Sequence, residues 1–103
     1  MLVMSKTGFS IYKAKKGLIK CRVEYDPSKK IILKVDITGD FFLHPEDSLS
    51  VLMERLKGVY IDRDEIAKVI KEVFNIYKVS HPGIEIDDFV KVIYESTLGD
   101  EGA

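Results

Sequence analysis

The hydrophobic period of this chain changes once, at Gly39. Before that glycine, apolar residues recur at every second position. After it they recur at spacings of three and four. A period of two belongs to a strand with one buried face, and a period of 3.6 to a helix with one buried stripe. Strands followed by helices, joined by short turns, imply an α+β fold: an antiparallel sheet with its helices on one face. Leu18–Tyr25 alternates most clearly, with Ile19, Cys21, Val23 and Tyr25 on one side and Lys20, Arg22 and Glu24 on the other. Ile31–Thr38 repeats the pattern, with Ile31, Leu33, Val35 and Ile37 expected to point inward. Phe9–Ala14 is the remaining strand. Lys15-Lys16-Gly17 reads as a hairpin turn with Gly17 supplying positive φ. Asp26-Pro27-Ser28-Lys29 reads as a turn with proline in its favoured second position. The three segments form a three-stranded meander.

Three helices are expected beyond Gly39. Pro45-Glu46-Asp47 suits a first helical turn, because proline needs no amide partner there and the acids meet the positive end of the dipole. Leu49, Leu52, Met53 and Leu56 follow as its apolar stripe, and Gly58 ends it. Asp62 and Glu65 have capping-box spacing for a second helix, striped by Ile66, Val69, Ile70, Val73 and Tyr77. His81-Pro82-Gly83 breaks it. Asp87 or Asp88 then caps a third helix carrying Phe89, Val90, Ile93 and Leu98, and Gly99–Ala103 is a polar tail.

At 103 residues the chain suits one domain spanning residues 1–103, able to bury a modest core without staples. A single cysteine, Cys21, leaves no internal disulfide and no multi-cysteine metal site. No run approaches the roughly 20 apolar residues needed to span a bilayer, and residues 1–8 lack the apolar stretch of a signal peptide. A soluble, cytoplasmic protein is expected. Twelve Ile, thirteen Lys, one Asn and no Gln give the bias of proteins from hot environments. The net charge of −1 conceals a balance of +6 over residues 1–39 and −7 over residues 40–103. No chain-wide basic footprint for nucleic acid exists; either the two halves complement each other when packed, or the N-terminal half presents a local basic face.

Reactive groups are scarce. Cys21 shares the inward face with Ile19 and Val23, as a buried thiol does. His44 and His81 stand at unrelated spacing without cysteines, so no metal site is expected. The glycines are isolated turn or cap positions rather than a phosphate loop. Asp62/Asp64 and Asp87-Asp88 are better explained as helix caps than as acid–base pairs. No serine sits in a nucleophile elbow. Lys13, Lys15 and Lys16 cluster at the first hairpin, either as a solvated turn or as a contact for an anion.

The segment Gly39-Asp40-Phe41-Phe42-Leu43-His44-Pro45 stands out. Two consecutive aromatics in an extended segment cannot both face one core. Either one packs inward and the other is an exposed contact anchor, or the chain twists and buries both.

Thr38-Gly39-Asp40-Phe41-Phe42-Leu43-His44-Pro45-Glu46, followed by a short helix ending Leu56-Lys57-Gly58, resembles the small accessory domain of lipoate–protein ligase. Tyr12-Lys13-Ala14-Lys15-Lys16-Gly17-Leu18-Ile19-Lys20 is similar to that family's first hairpin. The resemblance covers residues 9–98. In the family this domain is fused behind a catalytic domain or is a separate chain, as in bipartite archaeal ligases. The lipoate pocket, glycine-rich motif and catalytic lysine of the large domain are not in this sequence. The resemblance therefore implies a non-catalytic accessory subunit, needed with the large catalytic subunit to activate lipoate with ATP (and magnesium) to lipoyl-adenylate. It implies, indirectly, acceptor lipoyl domains of 2-oxoacid dehydrogenase complexes or glycine cleavage H protein, and no nucleic acid or membrane. On that reading Gly39, Asp40, Phe41, Phe42, His44 and Pro45 are expected to dock on the large subunit. Lys13, Lys15 and Lys16 are expected to set the charge environment of the ATP phosphates. No catalytic residue is assigned. The competing readings are an iron–sulfur or sulfur-acceptor scaffold, which would need a reactive Cys21, and a small nucleic-acid binder using the basic sheet face.

Overall fold

A computed structural model describes residues 4–98; the expected polar tail at 99–103 lies outside them. The element order is β1 (Lys6–Ala14), β2 (Gly17–Asp26), β3 (Ile31–Asp40), α1 (Ser48–Arg55), α2 (Arg63–Ile76) and α3 (Ile86–Ser96). The strands form one antiparallel sheet in the order β1-β2-β3. Helix α1 packs on β3, α3 on β1 and β2, and α2 contacts both other helices. The expected α+β meander with helices on one face is what the chain adopts.

The inner face of β2 is the one its alternation implies: Ile19, Cys21, Val23 and Tyr25 are buried. They share one core with Leu52, Ile66, Ile70, Phe89 and Ile93 of the helices and with Leu56 just after α1, all fully buried. Burial of such side chains stabilises the fold by about 1.5–3 kcal/mol each.

The first half of β3 departs from simple alternation. Val23 pairs with Val35 and Glu24 with Lys34, but Tyr25 pairs with Ile32, so Leu33 is an extra residue. This bulge reverses the parity, because one inserted residue sends every following side chain to the opposite face. Ile32 is therefore fully buried, while Ile31 and Leu33 are only half-buried.

The turns also differ in detail. Gly17 does not have positive φ; it is the first residue of β2, paired with Ala14. What requires glycine there is space, since a Cβ would lie 2.5 Å from the Asp40 carbonyl oxygen. In the second turn the Asp26 carboxylate accepts from the Ser28 and Lys29 amides at 2.8 and 3.0 Å, and Lys30 takes the positive φ of 58°.

The helix boundaries shift by a few residues. Helix α1 begins at Ser48 rather than Pro45, because residues 45–47 form a turn in which the Ser48 amide donates to the Pro45 carbonyl. Asp62 caps α2 by accepting from the Glu65 amide at 3.0 Å. The reciprocal half of the capping box is missing, since the Asp62 amide donates to the Tyr60 carbonyl instead. Tyr77 lies beyond the last turn of α2 and is exposed, and Phe74 is buried in its place. Glu85, rather than Asp87 or Asp88, is the N-cap of α3; its amide donates to the Asp88 carboxylate at 2.7 Å. Leu98 follows the end of α3 and is exposed, while Val92 joins Phe89, Val90 and Ile93 in the core.

Candidate functional site

The corner after β3 is built by a change of direction that only glycine permits. Gly39 has φ of 155°, and a Cβ there would lie 2.0 Å from the Leu18 carbonyl oxygen. The chain can therefore press against β2 and turn. Phe41 goes inward, with its ring edge-on to Phe89 at 5.6 Å between centroids and 78° between planes. Phe89 stacks edge-on against Phe74 in turn, and Phe74 lies 5.0 Å from the His81 ring. Phe42 goes outward and is 80% exposed. The alternative in which the twist buries both rings is not what the chain does.

A chain segment that sequence reasoning passed over holds the corner from behind. His44 and Ser80 form an antiparallel bridge: the His44 amide donates to the Ser80 carbonyl at 3.0 Å and the Ser80 amide to His44 at 2.7 Å. The His44–Pro45 peptide bond is cis. His44's imidazole is solvent-facing, so its backbone does the structural work. His81 is fixed by its ring Nδ1–H, which donates to the Ile84 carbonyl at 2.6 Å. The only sequence signal for this bridge was the short apolar–polar step Val79-Ser80 before the His-Pro-Gly break.

Phe42 stands on the rim of an open hollow of about 350 Å³ formed with Gly39, Phe41, Leu43, Glu46 and Leu49. Asp40, Glu46 and Asp47 are exposed here, with no ion pair among the described residues. The residues lining the hollow are mostly apolar, and Glu46 is the acid among them.

The lysine cluster is at the same end of the molecule. Lys13, Lys15 and Lys16 are exposed. The Lys16 amide donates to the Gly83 carbonyl at 3.3 Å, and its stem covers Gly83 so closely that a Cβ there would lie 2.4 Å from the Lys16 Cβ. Gly17 touches the corner itself, since a Cβ on it would lie 3.2 Å from the Phe41 Cβ. The structure thus brings together two sets of residues that the sequence keeps more than twenty positions apart.

Cys21 is 1% exposed. Burial, with a smaller contribution from the Asp36 carboxylate, pushes its thiol up to about 11, against a partial offset from Ser96. A neutral, enclosed thiol is a poor nucleophile and cluster ligand. Among the described residues no group of three or more His, Cys, Asp or Glu is placed to hold a metal ion, and no helix is long and apolar enough to cross a membrane.

Three comparisons converge. Residues 9–93 match the family model for the C-terminus of bacterial lipoate protein ligase. The chain is 38% identical over 82 residues to lipoate-protein ligase A subunit 2 of Thermoplasma acidophilum, covering 80% of this chain and 82% of that protein. Its fold superposes with a TM-score of 0.78 and 36% identity on a chain from an archaeal lipoylation system, a bipartite lipoate protein ligase and its E2 lipoyl domain from Thermoplasma acidophilum. That match covers 87% of this chain and 97% of the other. With strand order, corner and helices all accounted for, the chain belongs to the lipoate protein ligase C-terminal domain family.

Proposed function

We propose that this chain, as one domain over residues 1–103, is the non-catalytic accessory subunit of a bipartite lipoate–protein ligase. The large subunit supplies the reactive groups; this chain is required for ATP-dependent activation of lipoate to lipoyl-adenylate. The observation that carries the reading is likeness along almost the full length of a bipartite ligase's chain. The buried, proton-bound thiol supports a role in shaping rather than reacting.

The corner Gly39, Asp40, Phe41, Phe42, His44 and Pro45 is the docking element. Phe42 is the anchor, because a large exposed aromatic on a rigid base loses little entropy when it is covered. Phe41 holds the base by packing on Phe89. Docking there sets Lys13, Lys15 and Lys16 beside the large subunit, where positive charge stabilises the ATP phosphates and the charge developing at the leaving pyrophosphate. Covering the site also excludes water from a hydrolysable acyl-adenylate. Magnesium, ATP and lipoate belong to the complex. The acceptors are lipoyl domains of 2-oxoacid dehydrogenase complexes or glycine cleavage H protein, and the setting is cytoplasmic.

The test is omission. Purified large subunit with lipoate, ATP and magnesium is scored for adenylate with and without this chain. Adenylate formation that depends on the chain supports the reading. Equal formation without it overturns it.

A further inference from the structure

Strand β1 is an edge of the sheet: among the described residues β2 lies on one side of it and no strand on the other. Proteins blunt such an edge with a short strand, a bulge, a proline or a central charge, because its open amides and carbonyls invite another chain. The centre of β1 has none of these. The strand is nine residues long, contains no proline, and pairs with β2 without a register shift. In its middle stand two large apolar residues on the face opposite the helices, Phe9 at 52% exposure and Ile11 at 53%.

The hairpin decides which backbone groups point outward. The turn Lys15-Lys16 closes on the pair Ala14–Gly17, and the pair that closes a two-residue loop is a hydrogen-bonded one. Such pairs alternate along an antiparallel ladder. Gly8, Ser10, Tyr12 and Ala14 therefore turn their amides to β2, and Thr7, Phe9, Ile11 and Lys13 turn theirs to the open edge.

This edge is complementary to itself. Two copies of β1 can run antiparallel about a twofold axis through Ser10. Phe9 of each copy then pairs with Ile11 of the other, and Thr7 with Lys13 through the backbone alone. All four have outward amides, so the ladder bonds form. Sliding to the neighbouring registers of the same parity sets Phe9 against Phe9 but Ile11 against Thr7, or Ile11 against Ile11 but Phe9 against Lys13. Only the Ser10 register gives every apolar side chain an apolar mate.

Helix α3, beneath β1, obeys the same axis. The Lys91 ammonium lies 4.9 Å from the centre of the Tyr12 ring, and the Ser96 carbonyl lies against Gly8. Tyr12 and Gly8 stand two residues either side of Ser10, so the axis exchanges them. Lys91 of each copy thereby comes to the Gly8 end of the other, where Glu95 precedes Ser96. Lys91 and Glu95 are four residues apart on one face of α3. Lys91 is exposed, Glu95 is half-buried, and neither has an ion pair among the described residues. Opposite charges meet twice across the axis.

We propose that the occupant of this edge is a second copy of the chain. Two β1 strands join about Ser10 into one six-stranded sheet, with α3 beside α3 beneath it. Phe9 and Ile11 of both copies are covered, the open backbone groups are paired, and the reciprocal Lys91–Glu95 contacts fix the register. Strand β3 and its corner lie at the outer ends of the joined sheet, so the dimer leaves both corners free for the docking proposed above.

The test is sedimentation equilibrium of the free, full chain from micromolar to millimolar concentration. A monomer–dimer equilibrium is expected. Ile11→Lys sets an ammonium against the other copy's Phe9 from an already exposed position. It is expected to raise the dissociation constant at least about tenfold without moving the melting point in dilute solution. Lys91→Glu and Glu95→Lys each bring like charges together and are each expected to weaken self-association. An equimolar mixture of those two variants is expected to restore it, since each supplies the charge the other lacks. A wild-type chain that stays monomeric throughout overturns the proposal and leaves the corner reading untouched. A dimer that Ile11→Lys leaves intact, or whose charge variants are not rescued by mixing, overturns it as well. A monomeric chain that loses the large subunit in Ile11→Lys assigns the edge to that subunit, and this too overturns the proposal.

Discussion

Replacing Phe41 and Phe42 separately by alanine separates the two jobs of the corner. Phe41 is mostly enclosed and lies edge-on to Phe89. Removing its ring takes roughly 80–100 Å² of apolar surface out of the interior, about 2 kcal/mol at about 25 cal/mol per Å². Loss of the edge-to-face pair adds about 0.5–1.5 kcal/mol. The expected destabilisation is about 2.5–3.5 kcal/mol, which for a domain of this size lowers the melting point by roughly 10–25 °C. Phe42 is 80% exposed. The fifth of its surface that is covered is worth at most about 1 kcal/mol, so the free chain should melt within a few degrees of wild type. Binding should show the reverse emphasis. An exposed aromatic anchor is worth about 2 kcal/mol or more at an interface, roughly thirtyfold in affinity. Circular dichroism melts of the free chain and calorimetric titration of the large subunit read the two effects independently. Equal loss of stability in both variants, or wild-type affinity in Phe42→Ala, would refute the division.

Gly39→Ala must move Leu18 or its own backbone to relieve a 2.0 Å approach; a loss of at least about 2 kcal/mol is expected in chemical denaturation, and a wild-type midpoint would contradict the reading of the turn. Cys21 should resist alkylation in the native chain and react fully once unfolded; prompt modification at neutral pH would show that the thiol is accessible. Its folded value of about 11 lies above the ordinary 9.0, so the folded state binds the proton more tightly. Stability from this group is complete below pH 9 and is lost as pH rises toward 11, by about 2–3 kcal/mol. Denaturation midpoints from pH 8 to 11 should fall more steeply for wild type than for Cys21→Ala, and parallel slopes would remove the thiol from the explanation. Reversing Lys13, Lys15 and Lys16 to Glu together should raise the ATP concentration needed for half-maximal activation by the complex with melting unchanged; an unaltered ATP dependence would detach these lysines from the phosphates.

Much of this architecture was legible because strand and helix periods are local properties. Four consecutive inward residues on β2 were readable from alternation alone. The bulge at Leu33 was not, because it depends on which residue of β2 each residue of β3 meets. Tyr77 and Leu98 fit the helical spacing but fall just beyond the ends of their helices, where no turn carries them inward. The corner was visible as an oddity, two adjacent aromatics, and the choice of which one is buried was made by Phe89, about fifty residues away. The Ser80 bridge and the Lys16–Gly83 contact are long-range pairings between short loops, which leave almost no trace in composition. Phe9 and Ile11 lie on the first strand, for which the sequence showed no inward face. Their exposure follows from the register with β2 and from the close approach of α3, which leaves room only for Gly8: a Cβ there would lie 1.5 Å from the Ser96 carbonyl oxygen.

The most direct measurement supplies the large subunit and an acceptor lipoyl domain with either lipoate plus ATP or ready-made lipoyl-adenylate, each with and without this chain. An accessory role at activation predicts that acceptor lipoylation depends on the chain in the first pair and proceeds without it in the second. Equal lipoylation with and without the chain from lipoate and ATP, or turnover by the chain alone, would contradict it.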